Sequence, residues 1–264
     1  MLPMLRTVLP WVLALMPAAG FAQAYPGKPV RVVVVFPPGG SNDVTACIVF
    51  RKLPDLTGQQ FIIDNRGGAS GTIAAATVAQ SDADGYTLKV QSTTHIANAF
   101  IYKGKLQYNT MKDFTGITPL AQQVGMLLVH PWLPVKSTRE LIARTRRQPD
   151  ALDYGSAGNG SYVHLGMEML KSATTTKITQ VPYRGGGQLS IALLAGEVQT
   201  TIGTIGAFVR HVPANKLRPL GVTCAKRLPQ FPKVPTIGET IPGFEWTAWV
   251  GPFAPAGTPR PIVS

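Results

Sequence analysis

The chain has 264 residues, 45% hydrophobic and 14% charged, a composition that suits one or two packed domains and excludes a disordered chain. Its net charge of +12 would suit nucleic acid. Yet the basic residues are scattered, and the densest group, Arg144, Arg146 and Arg147, has no interleaved aromatics, so attraction of small acids or plain solubility is expected and no nucleic-acid partner.

In chain order, residues 1–24 read as a cleavable secretory signal. Arg6 supplies the positive start, "VLPWVLALMPAAG" the apolar stretch and Ala22-Gln23-Ala24 the small-x-small cut before Tyr25. A membrane anchor fits less well, because the apolar run is short of the roughly 20 residues a span needs and contains Pro10 and Pro17. Export to the periplasm is therefore expected. In that oxidising space Cys47 and Cys224 read as two independent buried thiols rather than a disulfide, each in an apolar context. The four histidines show no metal-ligand spacing, and no metal or cofactor site is indicated.

From Tyr25, strand and helix signals alternate. Val30–Phe36 is a continuous β-branched run, as for a strand covered on both faces. A helix is expected from Ser41 to about Leu53, capped by Ser41 or Asn42, with Asp43 in its first turn. "QQFIIDN" reads as a strand, Gly71–Gln80 as a helix and "DADGYTLKVQST" as a turn feeding a strand. The pattern then repeats. "GMLLVHP" is a strand, and Ser137 to Glu140 is a capping box opening a helix through Arg147, with Glu140 and Arg144 four apart on one face. "LDYGSAGNGSYVHLGMEMLKS" and "ITQVPYRGGGQLSIALLAG" each read strand, glycine loop, helix, and "EVQTTIG" and "KLRPLGVTC" are further strands. "FEWTAWVGPFAPAGTPRPIVS" gives a strand, a proline-rich turn and a helix start near Pro261, which suggests a truncated chain. The expected fold is α/β, a two-lobe periplasmic binding protein of type II kind. Each lobe would carry a mostly parallel sheet flanked by helices.

Four turns join strand to helix through glycines. Phe36-Pro37-Pro38-Gly39-Gly40-Ser41 puts bare backbone at the start of a helix, whose free N–H groups and partial positive charge make an anion site without arginine. An ordinary well-capped turn is the competing reading. Tyr154-Gly155-Ser156-Ala157-Gly158-Asn159-Gly160-Ser161 repeats the arrangement in the second block, so two loops facing across a cleft could clamp one carboxylate. Tyr183, Thr94 and His95 are candidate cleft-wall residues, with a purely structural role equally open for His95. No nucleophile elbow, phosphate loop or dinucleotide fingerprint is present, so an enzyme is not expected.

The stretches "YPGKPVRVVVVFPPGGSND", "DNRGGASGTIAA", "DGYTL", "GSAGNGSYVHL", "VPYRGGG" and "FAPAGTP", in this order, resemble the Bug-type periplasmic receptors of tripartite tricarboxylate transporters from Tyr25 to Ser264. The resemblance implies a receptor that closes on a small carboxylic acid and hands it to an inner-membrane permease, and a monomer is expected. It implies lobes of residues 25–124 with 245–264, and 125–244, hinged near Gln123–Met126 and Phe244–Ala248. Carboxylate contacts would come from Pro38, Gly39, Gly40 and Ser41 with Asp43, and from Ser156, Ala157, Gly158 and Asn159. Thr204 would face the ligand's far end. Such receptors usually continue past "FAPAGTP" with further helices, and usually carry a proline where Gly67 stands and a polar pair within "TIGTIG". The alternatives are a truncated receptor remnant or sensor component and, behind it, a secreted enzyme acting on a small acid.

Overall fold

A computed structural model describes residues 25–264; the signal-peptide reading falls on residues 1–24, outside them. The first half runs β1 (Val30–Val34), α1 (Ser41–Phe50), α2 (Leu53–Thr57), β2 (Phe61–Asn65), α3 (Thr72–Ala79), β3 (Thr87–Ser92), α4 (Thr94–Ile101), β4 (Phe114–Gly116) and β5 (Ala121–Val129). The second continues α5 (Thr138–Arg147), β6 (Asp153–Ser156), α6 (Tyr162–Thr174), β7 (Thr179–Pro182), α7 (Gly186–Ala195), β8 (Thr200–Thr204), α8 (Ile205–Phe208), β9 (Arg218–Val222), β10 (Thr247–Pro255) and α9 (Arg260–Val263). No helix of the described residues is long and apolar enough to cross a membrane.

The strands form one continuous curled sheet in the order β2-β1-β3-β10-β5-β8-β6-β7, with β4 beside β10 and β9 beside β5. The sheet is mixed, which corrects the mostly parallel expectation. β2, β1 and β3 are parallel, as are β7, β6 and β8, but β10 runs antiparallel to β3, β4 and β5, and β5 antiparallel to β8 and β9. Alternating βα units dictate parallel pairing only where a helix returns the chain, and the two long strands that cross between the halves have no such helix.

The valine run behaves as a doubly covered strand. Val30, Val32 and Val34 face a core with Ala46 and Phe50 of α1, while Val33 and Val35 face Ala74, Ala75 and Val78 on the other side. A third core, from Met126 to Ala248, holds the second half together. The crossing lies within β5. Its Ala121–Val124 pairs with Val250–Thr247 of β10, and from Gly125 its partner is β8 instead.

Several local expectations change. The helix from Ser41 stops at Phe50, and Pro54 sits in the first turn of the separate α2, where its missing N–H costs nothing. The N-cap of α1 is the extended Gly40 rather than Ser41 or Asn42, both of which lie inside the helix. Ser137 does cap α5, its Oγ accepting from Glu140 N at 3.1 Å. The Glu140 carboxylate accepts from Lys136 N at 2.7 Å, outside the helix, rather than reaching along it to Arg144. Cys47 and Cys224 are free but only half-buried, so the buried-thiol reading holds for pairing and not for depth. Gly67 leaves room for Pro37: a Cβ there would fall 2.6 Å from Pro37 Cδ.

Candidate functional site

The turn from β1 into α1 is shaped from inside itself. Gly39 has φ of +82°, and Asp43 accepts a hydrogen bond from Gly39 N through Oδ2 at 2.9 Å and one from Asn65 Nδ2 through Oδ1 at 2.9 Å. The Asp43 carboxylate thus braces the loop and lines neither cavity described below, which corrects its reading as a ligand contact. The first-turn N–H groups of Ser41 and Asn42 have no intrahelical partner to satisfy.

Two further turns oppose this one from the second half. In the β6–α6 turn Ser156 is fully buried, its Oγ accepting from Gln180 Nε2 at 2.7 Å and Gly158 N at 3.3 Å; like Asp43 it shapes the loop. Ser161 caps α6, its Oγ accepting from His164 N at 3.2 Å. The β7–α7 turn meets the β1–α1 loop directly. A Cβ on Gly186 would lie 3.4 Å from Gly40 Cα, and one on Gly187 would lie 3.1 Å from the Pro38 carbonyl oxygen, so backbone packs on backbone. Alongside, the Ser70 hydroxyl donates to the Asn159 carbonyl, and Asn98 Nδ2 donates to the Ser70 carbonyl at 3.0 Å. The halves are closed on each other around these loops.

Two spaces remain between them. The inner is a cavity of about 50 Å³, walled by Gly40, Ser41 and Asn42 of α1, by Ser161, Tyr162 and Val163 of α6, and by Gly186 of α7. Ser92, Thr94, Gln123 and Thr204 complete its polar wall, and Phe36, Leu189 and Phe208 its apolar one. The outer, of about 540 Å³, is bounded by Pro37, Pro38, Asn65, Tyr102, Gly158, Asn159, Tyr183 and Arg184, and shares Phe36 and Ala157 with the inner.

No charged side chain of the described residues lines the inner cavity, yet the N-termini of α1, α6 and α7 converge on it. Each such terminus carries roughly half a positive charge and unpaired N–H groups. The arrangement is suited to hold one small anion by backbone, with hydroxyls and amides around it.

Of the residues singled out in the sequence, Gly40, Ser41, Thr94, Ala157 and Thr204 meet in the inner cavity, and Pro38, Gly158, Asn159 and Tyr183 in the outer. Gly39 forms the turn beside them. His95 is elsewhere, a second correction. Consecutive helix residues point about 100° apart, so with Thr94 toward the cavity His95 turns into the core, 4.4 Å from the Phe253 ring centroid. There its Nε2 donates to the Thr110 carbonyl at 3.1 Å and its Nδ1 faces Lys89 Nζ at 3.0 Å. Burial, with Lys89 beside it, pushes the His95 pKa down to about 3. Burial also holds the fully enclosed Lys89 amine well below its usual 10.5, over the Phe114 ring at 3.4 Å.

The sequence reading missed Asn42, Ser92, Gln123, Ser161 and Tyr162. Asn42 was visible only as a possible cap. Tyr162 stacks on Trp246 at 5.4 Å and donates to the Trp246 carbonyl at 2.9 Å, tying α6 to the segment entering β10, and burial raises its pKa.

Residues 47–264 match the family described as tripartite tricarboxylate transporter family receptor, TctC. A protein in the tcbD-tcbE intergenic region of Pseudomonas sp. strain P51 is 37% identical over 91% of this chain and 72% of its own length. Protein BugT of Bordetella pertussis is 33% identical over 92% of this chain and 75% of its own. Among solved structures, R. palustris Rpa4515 with adipate is 39% identical with a TM-score of 0.87, covering 90% of this chain and 80% of that one. MatC of Rhodopseudomonas palustris with bound malate is 34% identical with a TM-score of 0.85, covering 90% and 82%.

Proposed function

The chain belongs to the tripartite tricarboxylate transporter receptor family, and from that premise we propose that it is an extracytoplasmic receptor whose two lobes close on a small carboxylic acid. The family consists of periplasmic solute-binding receptors that work with membrane permeases. The observation that carries the reading for this chain is the inner cavity. Residues at helix N-termini of both halves line it, and no charged side chain of the described residues does. Adipate in one relative and malate in another support a carboxylate as the ligand class.

In this reading Gly40, Ser41 and Asn42 offer N–H groups from one lobe, and Ser161 to Val163 and Gly186 from the other. A ligand bridging both sets stabilises the closed form over the open one, because the open form offers only one set at a time. Rotation would occur at the β5 and β10 crossings, near Gln123–Met126 and Phe244–Ala248, where β5 changes partners. The closed receptor would then present its acid to the permease without chemical change.

Thermal unfolding of the chain with a panel of mono-, di- and tricarboxylates tests this. An acid at 100 times its dissociation constant adds about 2.7 kcal/mol to the folded state, a midpoint rise of about 5–10 °C for a chain of this size. No shift with any acid, together with no ligand-dependent compaction in solution scattering, would defeat the reading. Loss of a bound acid to a new product, followed by chromatography, would turn it toward an enzyme.

A further inference from the structure

The wall of the inner cavity carries a donor that no described residue uses. Asn42, in the first turn of the ten-residue α1, is 4% exposed, and its Nδ2 has no hydrogen-bond partner among the described residues. Gln123 Nε2 donates to Asn42 Oδ1 at 3.4 Å, so the acceptor end of the amide is engaged and the NH2 end is the free one. Both residues line the cavity. A buried amide left without a partner is costly, and such groups persist where something else completes them.

We propose that Asn42 is a specificity-determining residue. Its Nδ2 donates to an acceptor oxygen on the carbon next to the bound carboxylate, so that the receptor favours 2-hydroxy or 2-oxo acids over acids lacking that oxygen. The inference rests on the carboxylate-receptor reading above and adds to it the feature by which one acid is chosen over another. Two points carry it. The amide belongs to the same first helical turn whose backbone N–H groups would take the carboxylate, and both line the one cavity, so a group bound by the first lies within reach of the second. Nδ2 can only donate, so its partner must be an oxygen that accepts; a methylene at that place would leave it buried and unpaired. Sites built to hydrogen-bond a ligand oxygen discriminate strongly against the analogue lacking it for this reason.

Calorimetric titration of the full chain with lactate and propionate, and with malate and succinate, tests the inference. In the parent the hydroxylated member of at least one pair is expected to bind ~10-fold tighter, the factor for one hydrogen bond whose loss leaves a buried donor unpaired. In Asn42→Ala that ratio is expected to fall to within ~2-fold while the affinity for the deoxy acid changes less. Asn42→Leu keeps nearly the same volume but has no donor, and is expected to lose the preference as well; it carries the test should the alanine variant not melt cooperatively. Equal binding of both members of each pair by the parent, or a preference that survives in the variants, overturns the role of Asn42 and leaves the receptor reading standing. Binding of none of the four acids, nor of any other carboxylate, overturns the receptor reading and this inference with it.

Discussion

Replacing Lys89 with methionine should make this protein more stable, although it removes a charge-bearing residue from a packed site. Lys89 is 0% exposed, with its Nζ 3.0 Å from His95 Nδ1 and 3.4 Å from the Phe114 ring centroid. No carboxylate pairs with it among the ion pairs of the described residues. Burial lowers its pKa well below 10.5, so the amine takes up its proton more readily in the unfolded chain than in the folded one. The folded pKa lies below the unfolded one, so the unfolded chain holds the extra proton and stability falls as pH drops below about 10.5. The slope is up to about 1.4 kcal/mol per pH unit. Methionine fills nearly the same volume and removes this proton linkage, at the loss of one hydrogen bond to His95, about 1 kcal/mol. A net gain of about 1–3 kcal/mol at pH 7.5 is expected, the scale of the desolvation penalty of one buried polar group. Chemical denaturation of parent and Lys89→Met at pH 7.5, 8.5 and 9.5 is the assay, with the gap narrowing as pH rises. A parent that is the more stable at pH 7.5, or a gap that does not change with pH, would refute the account of an amine whose protonation is opposed by burial.

The neighbouring His95 should act in a lower window. With its folded pKa near 3 against 6.5 unfolded, stability is complete above about 6.5 and is lost as pH falls toward 3, by up to about 1.4 kcal/mol per unit. His95→Gln, which can still donate to Thr110 and accept from Lys89, should flatten that part of the denaturation profile. At the crossing, Gly125→Ala would bring a Cβ within 2.7 Å of Tyr162 Oη and 2.9 Å of Ile202 Cγ2, and should lower the unfolding free energy by about 1–3 kcal/mol in urea titrations. Gly39→Ala would set its Cβ in ordinary contact, 3.9 Å from Gly187 Cα, but at a φ of +82°, so the cost is strain of about 1–2 kcal/mol in the loop proposed to face the ligand. It should weaken carboxylate binding by calorimetry more than it lowers the melting temperature.

What was legible in the sequence follows local rules. The valine run, the alanine-rich third helix, the Ser137 cap and the strand, glycine loop, helix units each depend on neighbours within a few residues, so Val30–Val34, Thr72–Ala79 and Thr138–Arg147 formed close to where the pattern put them. The glycine turns were visible as places where backbone could approach an anion, because that property belongs to the backbone and needs no partner. What only the tertiary structure decided is which side of each turn faces the cavity. Asp43 and His95 sit beside residues that do face it, yet one folds back on Gly39 and the other turns into an aromatic core. Asn42 and Gln123, 81 residues apart, became neighbours only when β5 was laid across the sheet beside α1. Periodicity determines an element; the direction in which its end points, and what meets it there, is set by packing between segments far apart in the chain.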